Sequence, residues 1–65
     1  MVVKIIELVG SSPQSWEDAT KEAVTKAQES VKDIRGVDAV GFTAVVKDGK
    51  VTEYHTNVKI AFVVK

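Results

Sequence analysis

The spacing of apolar residues changes along the chain, and each spacing predicts one type of element. Residues 2–9 are apolar except for Lys4 and Glu7. A run of eight residues rich in β-branched side chains favours a strand that is apolar on both faces. The segment Gly10 to Pro13 is expected to stop this strand, because it combines glycine, serine and proline.

A helix follows, because apolar residues recur at three- and four-residue spacing over five turns. Ser12 is one candidate N-cap, with Pro13 as the first helical residue. Ser15, with Asp18 three residues later, is a second candidate. Gly36 is expected to end the segment as a C-cap. The apolar stripe consists of Trp16, Ala19, Ala23, Ala27, Val31 and Ile34, with Val24 beside it.

Two strands complete the pattern. Residues 37–47 are strand-like, and Asp48-Gly49 is typical of a type I′ hairpin turn, which needs two residues that tolerate a positive φ. Residues 51–64 form the last strand, with alternate residues from Tyr54 to Val64 on one face. One face of the middle strand is expected to hold Val40, Phe42, Ala44 and Val46. The predicted order is β-α-β-β, an α+β protomer in a single domain spanning residues 1–65.

The core that a chain of this length can build is expected to be marginal. At 65 residues it buries about 60% of its unfolded surface. Small domains usually compensate with disulfides, a structural metal or oligomerisation. There is no cysteine, and a single histidine excludes a multi-histidine metal site within one chain. We therefore expect the chain to associate with copies of itself. The sheet gives a second reason, because one helix covers only one face of three strands.

The charge balance excludes several functional classes. Nine lysines and arginines match nine aspartates and glutamates, whereas a nucleic-acid-binding protein needs a basic footprint. No apolar run approaches the 18 residues of a membrane span. No signal-peptide pattern follows Met1. We expect no nucleic-acid partner, no membrane partner and a cytoplasmic location.

Candidate chemistry is sparse. His55 as a catalytic base lacks a nucleophile motif such as Gly-x-Ser-x-Gly, so we expect no enzymatic activity. Trp16, a lone aromatic at helical spacing, is expected to lie in the core. The metal ligands stay unknown, although symmetry can gather carboxylates from several chains into one calcium site. The scattered carboxylates are Glu17, Asp18, Glu22, Glu29, Asp33 and Asp38.

Over nearly its whole length the chain resembles the dodecins. The similarity lies in the segment 7–13, in the helix start 15–19 and in the closing strand 54–62. This resemblance implies a three-stranded antiparallel sheet wrapped around one helix, and twelve protomers in a hollow shell. It also implies a storage protein that holds flavins in pairs between subunits, with coenzyme A as a further ligand in some members.

Two positions depart from the flavin-binding pattern. The tryptophan on which the flavin ring stacks is Gly36 in this chain, and the glutamine that bonds the flavin edge is His55. Loss of the stack, worth ~1–3 kcal/mol, implies weakened binding of riboflavin or FMN. The segments 15–17 and 33–35 resemble a tryptophan-less branch for which calcium was proposed as the ligand. The leading hypothesis is weakened flavin storage; the alternatives are a shell that binds calcium or another cation between subunits, and a shell without a ligand.

Overall fold

The computed structural model describes residues 1–64, which form a three-stranded sheet with one helix packed across it. The elements are β1 (Val2–Ser12), α1 (Trp16–Gln28), β2 (Ile34–Lys47) and β3 (Lys50–Val64). Strand β3 is central and pairs antiparallel with β1 on one side and with β2 on the other. The βαββ order and the antiparallel sheet confirm the predicted fold class, and β1 and β2 are both edge strands.

The entry into α1 differs from one of the two expected caps. Ser15 is the N-cap, and its Oγ accepts a hydrogen bond from the Asp18 backbone N at 2.9 Å. Ser12 still belongs to β1, so the strand is three residues longer than predicted and Pro13 as the first helical residue is wrong. The buried Ser12 hydroxyl donates to Asp18 Oδ2 at 2.8 Å and accepts from the Gln14 backbone N at 3.0 Å.

The helix ends earlier than its apolar spacing predicts. Its last residue is Gln28, and the backbone N of Val31 bonds to the Ala27 carbonyl oxygen at 2.9 Å. Asp33 then adopts a left-handed φ of 58° before β2 begins. Val31, in the connection, and Ile34, the first residue of β2, both pack against the core from outside the helix. Their positions in the sequence match the helical spacing, which is why the spacing predicted a helix about two turns too long.

Gly36 is a strand residue. It lies in β2 opposite Ala61, and its φ is outside the left-handed range that favours glycine. The expectation that it caps the helix is therefore wrong. No atom lies within 4 Å of the point that a Cβ on Gly36 would occupy, so neither sterics nor backbone conformation requires a glycine there.

A β-bulge interrupts the alternation of β2. Ala39 lies opposite Val58 and Gly41 lies opposite Asn57, so Val40 is an extra residue between them. Such an insertion shifts later side chains by one position relative to the partner strand. The expected face that joined Val40 to Phe42 is therefore wrong. The turn prediction is confirmed, with positive φ values of 52° at Asp48 and 75° at Gly49.

Small residues allow α1 to lie close to the sheet. Ala19, Ala23 and Ala27 are buried on the helix, and Gly10 of β1 lies beneath them. A Cβ on Gly10 would overlap the Ala19 carbonyl oxygen and approach Ala23 Cβ to 3.0 Å. The absence of that one carbon therefore permits the close helix–sheet packing. The fully buried side chains below the helix come from β3 and are Thr56, Val58 and Ile60.

Many apolar side chains remain outside this core. The exposed ones lie on all three strands and include Val3, Ile5, Val9, Val37, Val40, Phe42, Val46 and Val51. Exposed apolar side chains in this number, on a sheet with two edge strands, favour contacts with partner chains. Within residues 1–64, no helix is long and apolar enough to cross a membrane.

Two glycines provide a test of this packing. We expect Gly10→Ala to lower the free energy of unfolding by ~1–3 kcal/mol, because the added methyl forces α1 away from the sheet. Gly36→Ala, where the methyl meets open space, should change it by less than ~0.5 kcal/mol. Denaturant titration of both variants at one protein concentration compares them. Equal stability would show that the helix is not held against Gly10.

Candidate functional site

The candidate site is the sheet face opposite α1, which we call the outer face. On β3 it carries the residues that alternate with the buried ones, including His55 and Ala61. The register sets Ser11 of β1 and Thr43 of β2 directly opposite His55. Because opposite residues in antiparallel strands share a face, this part of the outer face is polar. His55 therefore lies in a row of hydroxyl groups from both edge strands.

His55 has a close partner on its own strand. Its Nε2 lies 2.6 Å from Glu53 Oε1, and both side chains are partly exposed. A carboxylate only accepts hydrogen bonds, so the Nε2 atom carries a proton and donates to Glu53. Residues two apart on a strand share a face, a signal in the sequence that could have predicted this pair. The pair fixes the direction of the imidazole across the outer face.

The two predicted ligand-binding residues share the outer face without meeting. Gly36 lies opposite Ala61, and Ala61 is six residues from His55 along a regular stretch of β3. At about 3.3 Å per residue the separation is about 20 Å. A small ligand that contacts both positions must therefore lie between two chains.

The carboxylates of one chain do not converge. Among residues 1–64, no three His, Asp or Glu side chains lie close enough together to hold a metal ion. Two of the acids form ion pairs with lysines: Lys21 lies 3.3 Å from Glu17, and Lys59 lies 3.9 Å from Glu7. Calcium favours six to eight oxygen ligands. A calcium site in this protein therefore needs ligands from more than one chain.

Trp16 is not a core residue, contrary to the sequence-based expectation. Its side chain is 39% exposed, and its Nε1 donates to the Thr43 carbonyl oxygen at 2.8 Å. Its ring meets those of Tyr54 and Phe42 edge to face, at centroid distances of 4.9 and 6.1 Å. The buried Thr56 hydroxyl donates to the Trp16 carbonyl oxygen at 3.0 Å. Trp16 therefore attaches the start of the helix to β2 and β3, and helical spacing alone gave no sign of this role.

Comparison with known proteins decides the family. The sequence model of the family described as Dodecin matches residues 2–65. This chain belongs to the dodecin family. The predicted family is therefore confirmed, and the βαββ chain with its single helix is the dodecin protomer.

Two of the similar proteins are described as calcium dodecins. Calcium dodecin of Mycobacterium tuberculosis is 42% identical over 62 residues, which cover 94% of this chain and 86% of the relative. A crystal structure of calcium dodecin from that organism, described as a calcium chelating antigen with a novel calcium-binding site, has a TM-score of 0.87 at 36% identity. That match covers all of this chain and 93% of the solved one. The resemblance to calcium dodecins is thus borne out by sequence and by fold.

A more distant match concerns the fold alone. Dodecin from Streptomyces coelicolor has a TM-score of 0.95 at 23% identity, over 98% of this chain and 91% of that one. The dodecin backbone is therefore kept almost unchanged where about three quarters of the residues differ.

Proposed function

We propose that this dodecin is the subunit of a homo-dodecameric shell that binds calcium between its chains. The identity to calcium dodecin across 94% of the chain supports this proposal most directly. Because no three acidic side chains converge within residues 1–64, the oxygen ligands in this proposal come from several chains. Four further expectations belong to the same proposal and stay predictions. They are a binding and storage role without catalysis, a single domain over residues 1–65, a cytoplasmic location and coenzyme A as a further ligand.

The need for a partner follows from the uncovered apolar surface. Helix α1 covers one face of the sheet, and exposed valines remain on both edge strands. The chain has no cysteine and therefore no disulfide to stabilise it. Burial against further copies of the chain removes this surface from water at about 25 cal/mol per Å² of apolar area.

We expect the purified protein to have a mass near twelve times the 7.0 kDa of one chain. Light scattering coupled to gel filtration, over a dilution series down to micromolar chain concentration, measures this mass. A folded monomer throughout the series would contradict the proposed assembly.

We expect calcium to raise the melting temperature of chelator-stripped protein. Binding to the assembled state alone stabilises it by RT ln(1 + [L]/Kd), which is about 2.7 kcal/mol at a hundredfold excess over Kd. Magnesium at equal ionic strength is the control, because its small octahedral shell fits dedicated protein sites poorly. Identical melting curves with calcium, with magnesium and with chelator would exclude calcium as a ligand.

Flavin binding is the second candidate, and the surroundings of Gly36 favour testing it. The open space around this residue leaves room for an aromatic side chain on the outer face, the face that also holds His55. In this alternative the pocket between chains keeps its shape but lacks the aromatic side chain on which the flavin ring stacks. His55 replaces the glutamine that bonds the flavin edge. Weak flavin storage follows from that pair of changes.

Restoring both residues tests this candidate. We expect Gly36→Trp combined with His55→Gln to bind riboflavin or FMN about 5- to 150-fold more tightly than the parent, because stacking adds ~1–3 kcal/mol. Fluorescence titration measures the affinity, and the stacked flavin should be quenched. Gly36→Leu with His55→Gln is the control, since it adds bulk without an aromatic face. No gain in an assembled, stable Trp variant would exclude the flavin pocket.

A further inference from the structure

The β2–β3 hairpin extends past the rest of the protomer as a two-stranded ribbon, residues 44–53, which we call the hairpin arm. Pairing of β1 with β3 ends at Ser12 and Tyr54, and α1 begins at Trp16, which bonds to Thr43. Within residues 1–64, the arm therefore has no third strand and no helix above it. The protomer is accordingly elongated, 48 Å in its longest direction and 13 Å in its shortest.

The arm is unfavourable as a free element. Val46 and Val51 lie opposite each other and are 61% and 49% exposed. Lys47 lies opposite Lys50, and like charges directly opposite in a sheet are destabilising. An isolated two-stranded hairpin is at best marginally stable in water. The arm thus requires an apolar surface with negative charge beside it.

The outer face offers such a surface in a groove of about 290 Å³, which we call the outer groove. Its lining consists of Glu7, Leu8, Val9, Val40, Asn57 and Val58. The groove is open because Gly41, opposite Asn57, contributes no side chain. Of its three valines, Val9 and Val40 are both more than half exposed, whereas Val58 is buried.

The charges around the outer groove complement those of the arm. In the adjacent row of the sheet, Glu7 and Asp38 both lie opposite Lys59, so two carboxylates stand against one lysine. At the tip of the arm, Lys47 and Lys50 stand against Asp48 alone. Such complementarity favours one docking partner and one register over others.

We propose that the hairpin arm of one chain lies in the outer groove of a neighbouring copy of the same chain. The arm cannot reach the groove of its own chain, because Val51 and Asn57 are six residues apart on β3, about 20 Å. A contact between two different surfaces of identical subunits repeats from chain to chain, and it forms a closed ring where the rotation between neighbours closes. The inference rests on the proposed homo-oligomer and adds the element that joins its subunits.

Cysteine cross-linking tests this contact. The parent has no cysteine, and Val9→Cys with Val46→Cys sets the two thiols of one chain too far apart for the ~7 Å limit between Cα atoms in a disulfide. We expect mild oxidation of the assembled double variant to give a ladder of three or more chains on a non-reducing gel. Each single variant, as control, should stop at dimers.

Charge reversal gives a second readout without cysteine. We expect Lys50→Glu and Glu7→Lys each to promote dissociation on dilution, roughly 1.5- to 5-fold per contact, and the two together to restore the assembly. Lys32→Glu, an exposed change outside the arm, should have no effect. An oligomeric parent with neither ladder nor restoration overturns the docking of the arm and leaves the shell intact; a monomeric parent overturns the proposed shell itself.

Discussion

The close contact between α1 and the sheet determines the rest of the structure. Three alanines on the helix and Gly10 on β1 bring the two backbones together, and the core beneath them contains only a few larger side chains from β3. A thin core stabilises little, because burial energy scales with apolar area. The one helix covers one face of the sheet, and residues 1–64 contain no second helix to cover the other face. Self-association is therefore a consequence of how the helix packs.

The outer face is the part of the sheet that this constraint leaves without a covering helix. It carries His55, Glu53, the glycine at position 36 and most of the exposed valines of β1, while its acids lie apart from one another. A protomer 13 Å thick has no depth for a closed pocket. The concave surfaces of one chain are open grooves, and the proposed ligand sites lie where two or more chains meet.

Sequence patterns predicted the element order, the hairpin turn and the alternation on β3, because each depends on local spacing or local backbone preference. They failed where a residue belongs to the core without belonging to the expected element. Val31 packs on the core from the connection and Ile34 from the start of β2, and the spacing of apolar residues cannot distinguish this from two further helical turns. The bulge at Val40 has no signature in the alternation, and Trp16 owes its position to Thr43, 27 residues away. The distance between Gly36 and His55 depended on the register of β2, which local patterns do not fix.

Two glycines differ in how tightly the surrounding structure constrains them. Gly10 is fixed by the helix above it, so any side chain there changes the packing that the fold depends on. Gly36 faces open space and adopts ordinary strand geometry, so the fold permits almost any residue there. In a symmetric assembly a residue exchanged at position 36 recurs in every copy of the chain. The residue at position 36, and with it the proposed ligand, can therefore change while the packing between α1 and Gly10 stays the same.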